Sequence, residues 1–103
     1  MKMKSRTDLQ TELENILGSR HVYYQPPENL KIEYPAIIYS VNDYMNINAD
    51  NIKYNNQIQY QITVIDKKPD NAAIQKILEK PLSSFDRHYA YNNLNHDVIT
   101  LYY

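Results

Sequence analysis

With no cysteine among its 103 residues, the chain can draw its chemistry only from histidines, carboxylates and hydroxyls. That absence removes a thiol nucleophile, a disulfide framework and any Cys-ligated zinc or iron–sulfur site. The histidines are His21, His88 and His96. His88 and His96 lack the i, i+4 helical spacing of a zinc pair, and no HExxH motif surrounds them. They flank a predicted last hairpin, so they could face each other across it with Asp86 and Asp97 nearby. A metal or an acid–base pair could be built from that cluster, but hydrogen bonding at hairpin ends accounts for it more simply. Asp43, Asp50, Asp66 and Asp70 form no calcium-loop pattern, and the glycine such a loop needs is missing. Ser83-Ser84 reads as a turn, since neither a base nor a Gly-rich oxyanion loop accompanies it. The single glycine excludes GxGxxG, P-loop and GxSxG designs. The expectation is a protein that is not an enzyme and holds no cofactor and no metal.

Composition narrows the alternatives. A chain of this length forms one domain, 1–103, with one modest core. Eleven Lys and Arg against twelve Asp and Glu leave a net charge of -1, without the basic clustering that phosphate neutralisation demands. Specific nucleic-acid binding is not expected. No apolar run approaches the roughly 18 residues of a membrane span, and the polar start has no signal-peptide core, so the expected compartment is the cytosol. Tyr is over-used, eleven against one Phe and no Trp. Asn gathers between Asn42 and Asn56 and again at Asn92, Asn93 and Asn95. An AT-rich coding sequence would favour the same residues without any functional cause. Tyr with Asn also suits a small carbohydrate-binding or single-stranded nucleic-acid-binding module, by stacking and amide hydrogen bonds.

The elements that would position these residues follow from periodicity. Leu9, Leu13, Ile16 and Leu17 form one apolar stripe, predicting a helix over 5–18. Ser5 with Asp8, or Thr7 with Gln10, offers a capping box, and Gly18 a left-handed C-cap. Residues 21–24 read as a short strand stopped by Pro26-Pro27, and 36–41 as a second. Residues 57–65 are the clearest strand, with Ile58, Tyr60, Ile62 and Val64 alternating with Gln57, Gln59, Gln61 and Thr63. Ala73, Ile74, Ile77 and Leu78 predict a second helix over 70–80, ended by Pro81. Strands over 85–91 and 97–103 follow, joined through Asn92-Asn93-Leu94-Asn95. Leu13, Ile16, Ile62, Val64, Ile74 and Ile77 are the predicted core.

The order α-β-β-β-α-β-β implies an α+β fold, an antiparallel β-sheet with two helices packed on one face. The other face then carries Gln57, Gln59 and Gln61, polar without charge, a surface that a subunit interface tolerates because charge is depleted from interface cores. Residues 42–56 should form a protruding Asn-rich hairpin arm. Its Tyr44, Ile47, Ile52 and Tyr54 find no obvious burial within one subunit and so become candidate interface residues.

Three segments together resemble a known family. They are Val22-Tyr23-Tyr24-Gln25-Pro26-Pro27-Glu28 with Tyr34-Pro35-Ala36-Ile37-Ile38-Tyr39; Tyr60-Gln61-Ile62-Thr63-Val64-Ile65-Asp66 with Pro69-Asp70; and Phe85-Asp86-Arg87-His88-Tyr89 through Asn93-Leu94-Asn95-His96-Asp97 to Leu101-Tyr102-Tyr103. The chain resembles small proteins of the head–tail morphogenesis module of tailed bacteriophages and prophages, termed minor capsid, tail completion or tail terminator proteins. The resemblance spans nearly the whole chain and rests on structural motifs. It implies a tail-terminator-like fold and a ring of identical copies, usually a hexamer. Such a ring caps the major tail tube protein, meets a head-side connector or stopper protein, surrounds the DNA path and resides in the virion neck. A head-completion or stopper protein is equally small and stays open as the alternative.

Overall fold

The computed structural model describes residues 5–49 and 52–103, and its description of side chains omits 43–57. Helix α1 (Arg6–Leu17) opens on Ser5, whose Oγ accepts from the Asp8 N–H at 3.2 Å. The Asp8 carboxylate in turn accepts from the Ser5 N–H at 3.1 Å, so the Ser5–Asp8 pair forms the capping box. Gly18 ends the helix at φ 80°, in the left-handed region that a side chain would strain. Leu9 and Leu13 are fully buried, whereas Ile16 is only half-buried at the rim of the core it was expected to join.

Strands β1 (Val22–Tyr24), β2 (Ala36–Ala49), β3 (Ile52–Asp66), β4 (Ser83–Tyr91) and β5 (Leu94–Tyr102) form one sheet, in the order β1-β2-β3-β5-β4. The sheet is mixed rather than antiparallel, because β1 pairs parallel to β2 through Val22↔Ile37 and Tyr24↔Tyr39. The physical reason lies in the connection. Residues 25–35 are too many for a hairpin turn, and they carry the chain back to begin β2 level with β1.

Helix α2 (Ala72–Leu78) is shorter than its apolar spacing suggested. Asp70 has φ 61° and cannot be helical, and Asn71 caps the helix by accepting from the Ala73 N–H at 2.8 Å. The last hairpin is also tighter than expected. Asn92 and Asn93 alone make the turn, both at positive φ (52° and 62°), so β5 begins at Leu94.

The cross-strand pairs Ile37↔Val64, Tyr39↔Ile62, Ile62↔Ile99 and Tyr60↔Leu101 place these residues on one sheet face. Both helices cover that face, with Leu9, Leu13, Ala73, Ile74 and Ile77 completing the core. Full burial of such aliphatic side chains contributes about 1.5–3 kcal/mol each. Outward of Val41 and Ile58 the picture changes. β2 and β3 continue as far as Ala49↔Ile52 with, among the described residues, only each other as partners, giving a two-stranded ribbon. At about 3.3 Å per residue, seven residues of it reach about 23 Å. The molecule accordingly measures 50 × 23 × 23 Å.

Candidate assembly surfaces

The face turned away from the helices is built from alternate strand residues. Register places Tyr23, Ile38, Thr63, Val98 and Arg87 in one row across the sheet, and Ser40, Gln61, Thr100 and Ser84 in the next. Gln59 holds the outer row. Its Oε1 accepts from Asn42 Nδ2 at 2.6 Å and its Nε2 donates to the Tyr102 hydroxyl at 2.6 Å. Both ends of the Gln59 amide are thus engaged within the subunit. Gln59 and Gln61 lie on this face and are half-buried. The formal charges in these rows stand at their ends: Arg87 at the β4 margin, paired with Asp86 at 2.8 Å, and Asp43, which the register sets opposite Gln59. It is not wholly open either: Ala36, Ile65 and Val98 are buried there, apart from the main core.

Of the remaining candidates, Tyr44, Ile47, Ile52, Tyr54 and Gln57 have side chains outside the described residues. Their backbones belong to the ribbon, where Tyr44 stands opposite Ile58, Ile47 opposite Asn55 and Ile52 opposite Ala49. The register steps twice: Asn42 is the extra residue on β2, and Tyr54 the extra residue on β3.

His88 and His96 do not face each other. They align with Asp97 and Tyr89 at successive register positions, and successive residues point to opposite faces. On the helix-covered face, His88 Nδ1 lies 2.7 Å from Asp97 Oδ1, which gives the buried Asp97 its partner. On the opposite face, His96 stacks on Tyr89 with ring centroids 4.6 Å apart and planes within 10°. No group of three or more His, Cys, Asp or Glu side chains suited to a metal exists among the described residues. His21 sits apart, with Nε2 3.2 Å from the Glu33 carboxylate.

The Glu12 carboxylate accepts from Lys80 Nζ and from the Tyr103 hydroxyl, tying Tyr103 to α1 and α1 to the segment that follows α2. Burial and the adjacent Glu12 push the Tyr103 phenol far above its ordinary value. Tyr39 is also pushed up by burial, against the opposing pull of Arg6.

One surface escaped the sequence reading. β4 is an edge strand, and every residue in it after Ser83 is exposed, including Phe85, Tyr89 and Tyr91. The available signal was the contrast with β5, whose run Val98-Ile99-Thr100-Leu101 reads as buried while 83–91 keeps charges amid its aromatics. No model of a known protein family matches the chain, and no curated protein matches it significantly.

Proposed function

We propose that the chain is a non-enzymatic structural protein of the tailed-phage neck, a tail terminator with a tail-terminator-like fold. Copies assemble in the bacterial host cytoplasm into a ring of six, and the ring joins the virion. It caps the major tail tube protein, stops its polymerisation, and presents a surface to the head-side connector. The sequence resemblance to proteins of the head–tail module supports this. The observation that carries it physically is the β2–β3 ribbon. A two-stranded hairpin is marginal in water, and this one extends beyond the sheet with both outer edges unpaired among the described residues. Its sequence holds Tyr44, Ile47, Ile52 and Tyr54, apolar groups that a neighbouring copy can bury. A contact between unlike surfaces, repeated by rotation, closes a ring.

The test is assembly. Replacing Ile47 and Ile52 together with Asp should leave the monomer folded and yield tails of uncontrolled length in electron micrographs. Tails of normal length that fail to join heads would move the chain to the stopper position. Particles that assemble normally would remove the arm from the interface.

A further inference from the structure

We propose that β4 is the docking edge for the β2–β3 ribbon of a second copy, which adds to the sheet beyond β4 as a further strand. The proposal rests on the ring assembly above and names what the arm meets. A strand edge is a row of unpaired N–H and C=O groups, and pairing two such rows requires comparable length. Three-residue β1 is too short. The β3 side of the ribbon is broken at Tyr54 and abuts the chain end, where the Tyr103 N–H donates to the Ile58 carbonyl at 3.1 Å. The β2 side runs without a register step from Asp43 to Ile47.

On the receiving side, β4 is nine residues long and lacks the Lys and Pro with which edges are usually blunted. Its one irregularity, at Asp86, leaves Arg87–Tyr91 regular. Phe85, Tyr89 and Tyr91 are 47, 42 and 66 % exposed, large aromatic surfaces that an added strand would flank. Charge does not oppose the match, since residues 43–47 carry only Asp43 and residues 87–91 carry Arg87.

The sheet order decides the occupant. The ribbon grows from β2 and β3, and β4 is the opposite margin. Pairing them joins unlike surfaces and propagates from copy to copy, as a ring requires. Pairing β4 with β4 is self-complementary and stops at two.

The chain has no native cysteine, so disulfide trapping has no background. Single variants Ala90→Cys on β4 and Met45→Cys, Asn46→Cys or Asn48→Cys on the ribbon, which cover both strand parities, are oxidised mildly, alone and mixed. Ala90→Cys mixed with at least one ribbon variant should give a cross-linked heterodimer, with none from Ala90→Cys alone. A chain carrying both substitutions should give a ladder that ends at the ring. A dimer from Ala90→Cys alone, or no mixed product at any ribbon position, overturns the edge pairing. The tail-length phenotype of Ile47→Asp/Ile52→Asp is scored separately, so a failed cross-link with overlong tails leaves the ring reading standing.

Discussion

Tyr39 shows how a residue type that suggests an interface can serve the core. Its ring is fully buried against Tyr24 and Tyr60, at centroid distances of 5.0 and 6.0 Å. Its hydroxyl donates to Gln10 Oε1 at 2.5 Å and accepts from Arg6 Nη1 at 3.2 Å. Gln10 then donates to the Val22 carbonyl at 3.0 Å, so one phenol links α1 to β1 and β2. Tyr39→Phe keeps the packing and orphans the Gln10 oxygen, which should destabilise by about 1–3 kcal/mol in denaturant titration. The same residue sets an alkaline limit. Tyr39 and Tyr103 hold their protons in the fold to higher pH than in the unfolded chain, where Tyr titrates near about 10. The unfolded chain therefore binds fewer protons above that pH, and their stabilisation is intact below about pH 10 and declines above it. Thermal melts from pH 8 to 11.5 should show this decline, reduced in Tyr39→Phe/Tyr103→Phe. A parent curve flat to pH 11 would contradict it.

Among the elements, the ribbon is separable from the fold it extends. The described core reaches outward only to Val41 and Ile58. Deleting Asn46–Asn56 and joining Met45 to Gln57 through Asn-Gly should therefore leave the thermal midpoint within a few degrees of the parent. A fall above about ten degrees would show that the ribbon packs on its own subunit. The boundaries of this element were the least legible part of the sequence. Residues 42–56 read as a hairpin arm, but Asn is depleted in strands, so only the cross-strand pairing shows that the strands expected at 36–41 and 57–65 run on through it. Helix α1 was legible to its caps, because Ser5, Asp8 and Gly18 act within their own turns. The parallel β1 was not, since its direction depends on the path of residues 25–35. Similarly, α2 starts late because Asp70 adopts positive φ, which no neighbouring residue announces.

For the whole molecule, the alternation in residues 57–65 sufficed to set Gln59 and Gln61 opposite the helices, because burial of one strand face determines the other. The exposure of β4 was hidden because edge position belongs to strand order, and order is set by contacts distant in the chain. That order also governs the statistics of growth. On the proposed pairing, any open string of copies ends in one free β4 and one free ribbon, whatever its length. Each arriving copy therefore makes one contact, until the last makes two, the second at an effective concentration of about millimolar for closely linked partners. Completion is thus favoured over every shorter string. Native mass spectrometry across a dilution series should find single chains and finished rings with few species between, whereas an even series of intermediates would mean that the contact angle does not close.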